Sequence, residues 1–187
     1  MQQVFFTADL HVFDDDISKY RGFYDAKQYR EVLVKHWNSA VDEDDLVYIL
    51  GDISKSFQPS AVQFVHENLN GHKILIPGNH DSFNTCQLFA KNSKCTVKMP
   101  GEVIKVGEKS LILTHYPVHS DELKFFDGNI HGHIHAPIPE IGYEPNRWPN
   151  VLRDVGVPGR GRYFNANCEF HNYTPVSFES VKYWYRD

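Results

Sequence analysis

Seven side chains of this 187-residue chain stand out by type and spacing: Asp9, His11, Asp52, Asn79, His115, His133 and His135. Imidazole nitrogens and carboxylate oxygens together suit borderline divalent metals such as Mn, Fe, Zn or Ni, and one carboxylate can bridge two ions. Gly51 and Gly78 directly precede Asp52 and Asn79, so the backbone can turn sharply there and aim each side chain inward. His133 and His135 stand two residues apart in Gly132-His-Ile-His, which puts both rings on one face if the segment is extended.

Short apolar runs that end in small or polar residues are the elements that must position these groups. Val4–Thr7 and residues 46–50, 73–76, 103–106 and 111–114 read as buried strands. Asp9 and His11 follow the first, Asp52 the second, Asn79 and His80 the third, and His115 a later one. Ligand sites collect at the carboxyl ends of strands, so residues distant in sequence can converge there. Residues 26–41 and 60–70 read as helices, the first from its apolar spacing, the second from Pro59 at its start and Gly71 past its end. Strands alternating with helices, then a strand-rich second half, predict an α/β or α+β layered fold in one domain spanning 1–187.

Composition narrows the function classes. With 41% hydrophobic and 23% charged residues, and no stretch of roughly 18 apolar residues, the chain reads as an ordinary globular protein without a membrane span. Its start lacks a secretory pattern, which predicts a cytoplasmic location. Three cysteines, Cys86, Cys95 and Cys168, without CxxC spacing fit buried or free thiols in a reducing compartment and argue against a structural zinc. A net charge of −5 disfavours broad capture of extended nucleic acid but does not exclude a small phosphorylated molecule or nucleotide as partner. The acidic runs 14–16 and 42–45 read as solvated surface without a role.

The ordered set Asp9-Leu-His11, Gly51-Asp52, Gly78-Asn79-His80-Asp81, His115 and Gly132-His133-Ile-His135 resembles the calcineurin-like metallophosphoesterase family over residues 9–135. His-Asn-Tyr-Thr-Pro-Val-Ser-Phe at 171–178 resembles the ends of its small bacterial and phage members. The resemblance implies a four-layer sandwich of two mixed β-sheets flanked by helices. It implies two divalent ions, Mn foremost with Fe, Zn or Ni open. One would be held by Asp9, His11, Asp52 and His135, the other by Asp52, Asn79, His115 and His133. Asp52 would bridge, and a hydroxide shared by the metals would attack a phosphodiester or phosphomonoester. His80 would be the catalytic non-ligand, stabilising the transition state or protonating the leaving oxygen.

The sequence departs from the phosphoprotein phosphatases of that family, which carry Gly-Asp-x-x-Asp-Arg where this chain has Gly51-Asp-Ile-Ser-Lys-Ser. The Asp that orients the catalytic histidine there is missing, which disfavours phosphoprotein substrates. Four of seven arginines, Arg147, Arg153, Arg160 and Arg162, fall in the Pro/Gly-rich interval 136–162. Arg160 and Arg162 are candidate phosphate contacts through charge-assisted hydrogen bonds. His119 and His131 read as residues behind the ligands, and His36 and His66 as helix residues. Two alternatives stand beside the hydrolase: a nuclease acting on nucleic-acid ends, and a non-catalytic binding scaffold on the same fold.

Overall fold

A computed structural model of the chain describes residues 2–135 and 162–185. Two mixed sheets are flanked by helices in an α/β arrangement. The first half runs β1 (Val4–Thr7), α1 (Asp15–Tyr20), α2 (Ala26–Ala40), β2 (Leu46–Ile49), α3 (Pro59–Asn68), β3 (His72–Leu75), α4 (Phe83–Phe89) and β4 (Cys95–Val97). The second half runs β5 (Glu102–Val106), β6 (Lys109–Leu113), β7 (Gly128–His131), β8 (Tyr163–Asn165), β9 (Val176–Ser177) and α5 (Phe178–Trp184). One sheet has the order β4-β3-β2-β1-β9, parallel except for β9; the other has the order β5-β6-β7-β8, with β6, β7 and β8 parallel.

The central strands read as unbroken apolar runs because both of their faces are buried. Successive side chains alternate between the faces. Phe5, Val47, Ile49 and Leu75 pack under Leu33 and Trp37 of α2, Val62 and Val65 of α3, and Phe89 of α4. Phe6, Tyr48, Leu50 and Ile76 point the other way, into the space between the sheets, and meet Leu111, Leu113, Ile130 and Phe164. Val181 and Tyr185 close this second core. Both rigid faces hold the strand ends in place, and the two sheets are stitched at that edge by a bridge between Ala8 and Asn167.

The acidic runs need correction, because two of their members are structural. Asp14 caps α1 by accepting hydrogen bonds from the amides of Asp16 and Ile17. Buried Asp45 accepts from the amides of Gln3 (2.8 Å) and Asp42 (2.9 Å) and ties the start of β1 to the entry of β2. Among the described residues, no helix is long and apolar enough to cross a membrane.

Candidate metal centre

Strands β1, β2 and β3 end beside one another, and the loops leaving them run together: Asp9 N donates to Gly51 O (2.9 Å) and His11 N to Asp52 O (3.0 Å). From the second sheet, the loops after β6 and β7 are tied by Gly132 N donating to His115 O (3.0 Å). The sheets meet where His133 N donates to Asp9 Oδ2 at 2.9 Å. Asp9, His11, Asp52 and His133 all lie in the left-handed region, with φ between 46° and 68°. Non-glycine residues there cost of order 1–3 kcal/mol each and persist only where the surroundings enforce them.

The result is two clusters of ligand atoms, each within 4.8 Å of one another: Asp9, His11 and His135, and Asp52, His115 and His133. Asp52 Oδ2 reaches toward both, 3.7 Å from His11 Nε2 and 3.5 Å from His115 Nε2. Asn79 joins the second cluster with Oδ1 2.9 Å from His115 Nε2. All seven side chains singled out as ligands therefore converge on one edge of the sandwich.

The donor set fits divalent cations on three observations. Asp9 Oδ1 and both ring nitrogens of His11 are buried without a hydrogen-bond partner, a costly arrangement in a protein interior. His115 Nδ1 lies 2.8 Å from the carbonyl of Leu50, which can only accept, so the neutral ring turns an Nε2 lone pair toward the oxygen of Asn79. A cation beside them would take both the Nε2 lone pair and the amide oxygen as ligands. Third, every titration in the centre but one runs toward the neutral form. Burial, reinforced by the neighbouring charge of Asp52, pushes Asp9 up to about 8. It pushes His11 down to about 2 and His133 down to about 4, raises Asp52 and lowers His115. Such a buried donor set is neutralised by protons or by bound cations.

His135 is the exception. Burial opposes its charge, yet the hydrogen bond and charge of Glu169, with the charge of Asp9, raise its pKa. Its Nδ1 lies 2.7 Å from Glu169 Oε1, which leaves Nε2 facing Asp9 Oδ1 at 3.7 Å.

His80 sits beside the clusters, its ring edge-on to His11 with centroids 5.4 Å apart. Its amide donates to Asp52 Oδ1 (2.9 Å), and its Nδ1 lies 2.8 Å from the carbonyl oxygen of Lys55. That carbonyl fixes Nδ1 as the protonated nitrogen. A backbone oxygen thus orients the His80 ring. Asp81 acts elsewhere. Its Oδ2 accepts from the amides of Asp52 (2.7 Å) and Gly78 (3.0 Å), and its Oδ1 from that of Ile53 (3.1 Å).

Glycine is required at two of these turns for different reasons. Gly51 adopts φ +89°, and a Cβ there would lie 2.3 Å from His115 Nδ1. Gly78 has no such φ; its hydrogen makes room for Asp52, whose Oδ1 would stand 2.2 Å from an added Cβ. The sharp turn expected at Gly78 is therefore a close approach instead.

For Arg162, expected as a phosphate contact, the described contacts lie elsewhere. Its guanidinium donates to the carbonyls of Leu123, Phe126 and Asp127, just before β7, at the amino ends of β7 and β8. The metal-ligand candidates leave the carboxyl ends of the parallel strands, so Arg162 faces away from them. Arg160 lies outside the described residues. His119 is exposed and receives the amide of Asp121, while His131 is fully buried with Nδ1 against Gly132 O (2.8 Å); neither joins a cluster. His36 and His66 bond backbone carbonyls of Asn172 and Phe89.

Sequence reasoning missed Glu169 and Arg21, which stand behind His135 and Asp9. The polar alternation Asn165-x-Asn167-x-Glu169 after Tyr163-Phe164 was the available signal. Asn165 and Asn167 both donate to Ile134 O, which holds the segment between the two candidate ligands His133 and His135.

No family model matches the chain. An uncharacterised protein of Methanocaldococcus jannaschii, MJ1445, is 31% identical over 186 residues, covering 97% of this chain and 90% of the relative. This chain belongs to the same family. The gene 66 protein of Mycobacterium phage L5 is 29% identical over 166 residues, covering 74% of this chain and 80% of the phage protein. Among solved structures, a protein of unknown function from Aquifex aeolicus, AQ665, shares the fold at a TM-score of 0.73 and 22% identity, covering 98% of this chain and 99% of the other.

Proposed function

We propose that the protein is a metal-dependent phosphoesterase acting on a phosphodiester or phosphomonoester of a small phosphorylated molecule or nucleotide. The observation that carries the reading is the carboxylate of Asp52, which belongs to one histidine-carboxylate cluster and reaches toward the other. Two divalent cations, Mn foremost, held by Asp9, His11, Asp52 and His135 and by Asp52, Asn79, His115 and His133, would acidify a water and offset charge on the phosphoryl oxygens. The chain's own residues then divide the work. Asp52 holds the two half-sites in register. Glu169 and the Leu50 carbonyl direct the lone pairs of His135 and His115 inward. His80, with Nδ1–H held by Lys55 O, would in its doubly protonated form give the Nε2 proton to the departing oxygen and remain as the neutral Nδ1–H ring.

The test is hydrolysis of a chromogenic phosphodiester and of a chromogenic monoester by purified protein with Mn²⁺. Turnover that Asp52→Asn and His80→Ala both abolish supports the reading. Turnover that survives in both variants, or none with any of Mn, Ni, Zn and Mg, overturns it.

A further inference from the structure

Arg21 and Glu169 are 148 positions apart and belong to neither ligand cluster, yet both side chains are almost fully buried beside one of them. Arg21 Nε donates to Glu169 Oε1 at 2.9 Å. Its other two nitrogens turn the opposite way, donating to the carbonyls of Leu10 (3.0 Å) and Asp9 (2.6 Å) in the loop that carries Asp9 and His11. The same Glu169 oxygen accepts from His135 Nδ1. One guanidinium and one carboxylate therefore join the β1 loop to His135, the two parts of the Asp9–His11–His135 cluster. A flat guanidinium with a fixed fork of donors suits this geometry, and an ammonium could not replace it.

The surroundings hold the pair in place. Arg21 lies against the rings of Tyr29 and Tyr173, at 5.0 and 5.9 Å from their centroids. Tyr29 also donates to Leu10 O at 2.6 Å. Tyr173 belongs to the 171–178 segment, which therefore covers the brace before it enters the first sheet as β9. In the second cluster the histidine support differs: His115 is oriented by a neutral carbonyl, and the carboxylate there, Asp81, holds the backbone of Asp52 and not a histidine ring.

We propose that Arg21 and Glu169 are positioning residues that preorganise the Asp9, His11 and His135 half-site, so that this half-site binds its cation more tightly than the Asp52, His115 and His133 half-site. The inference rests on the metal-centre reading above and extends it to unequal affinities. Partners behind ligating histidines typically set metal affinity by about 10–100-fold.

Calorimetric titration of the chelator-stripped full chain with Mn²⁺ alone provides the test, with no substrate present. The native protein should bind two ions in two resolved phases. Glu169→Gln should weaken the tighter phase by about 10–100-fold and leave the weaker one in place. Arg21→Lys should fail to restore it, and Glu169→Asp should restore it in part. Nitrogen-15 NMR should find His135 protonated at Nδ1 in the native protein and in tautomeric exchange in Glu169→Gln. Because an unpartnered Arg21 could unfold the single variant, the double variant Arg21→Met/Glu169→Met, checked by circular dichroism, must show the same selective loss. Equal weakening of both phases, or two unchanged phases in folded variants, overturns the proposal. Two-phase binding in a protein without phosphoesterase activity would sink the proposed function and leave the brace standing.

Discussion

The carboxylate of Asp81 holds Asp52 by its backbone, accepting the Asp52 amide at 2.7 Å while its other oxygen accepts that of Ile53 at 3.1 Å. Three amides, with that of Gly78, point at one buried carboxylate, so its charge and shape are both used. Asp81→Asn turns an NH2 toward at least one of those amides. Hydrogen bonds to a charged group are worth about 1.5–3 kcal/mol, and the variant should lose about that much stability. It should also lose metal affinity, because the left-handed backbone of Asp52 depends on the bond. A denaturant midpoint equal to that of the native protein would show that Asp81 is not the brace.

Asp52 is the group whose loss should affect both half-sites, since Oδ2 stands within 3.7 Å of a histidine from each. Asp52→Asn should lower Mn²⁺ stoichiometry measured by elemental analysis and reduce turnover by several kcal/mol of barrier, roughly a hundredfold or more. Full occupancy by two ions in this variant would remove Asp52 from its shared position.

His80 should show a kcat effect without a KM effect. Loss of a proton donor costs about 10²–10⁴-fold, and the cost shrinks when the leaving group needs no proton. His80→Ala should therefore be slowed far more on an alkyl phosphoester than on an activated aryl one. Equal slowing on both would assign His80 to binding or structure.

The protein stripped of metal should be most stable near pH 6.5. Burial pushes His131 down to about 4, His133 to about 4 and His11 to about 2, so below about pH 6.5 the unfolded chain binds more protons and stability falls as pH drops. His131 alone contributes about 3 kcal/mol between pH 6.5 and 4. Asp9, pushed up to about 8, works in the opposite direction: the native state binds its proton, and that stability is lost as pH rises toward 8. Below pH 6.5 the three imidazoles outweigh Asp9; above it Asp9 and His135, whose pKa is also raised, lose their protons and the native state loses their contribution. Melting temperatures in chelator should trace this maximum, and added Mn²⁺ should remove the alkaline decline. A flat profile in chelator would contradict the burial of these groups.

Gly78→Ala should cost both folding and metal, because its Cβ would lie 2.2 Å from Asp52 Oδ1 and 2.8 Å from His115 Cε1. Arg162→Ala, by contrast, should lower stability by removing bonds to the turn before β7 and leave KM for any phosphoester unchanged. A raised KM for Arg162→Ala would return that loop to the site.

The ligand types, their order and their places after apolar runs were legible in the chain, because strand periodicity and metal-ligand chemistry are both local properties of sequence. Val4–Thr7 forms as read, and the runs at 46–50, 73–76, 103–106 and 111–114 shift by only a residue or two, since their ends are set by turns and backbone bonds. What tertiary structure alone decided is which group stands behind which ligand. Glu169 reaches His135, Arg21 reaches Glu169, and the Lys55 carbonyl reaches His80 through contacts that no spacing encodes. The same holds for Asp14 and Asp45, whose acidic neighbours in sequence suggest solvent while their hydrogen bonds place them inside the fold. Arg162 shows the reverse: two residues from Arg160 and just past Gly161, it read as a phosphate contact, but the direction of β8 sends it to the far end of the sheet. A side chain's chemistry is fixed by its type, and its direction by the strand that carries it.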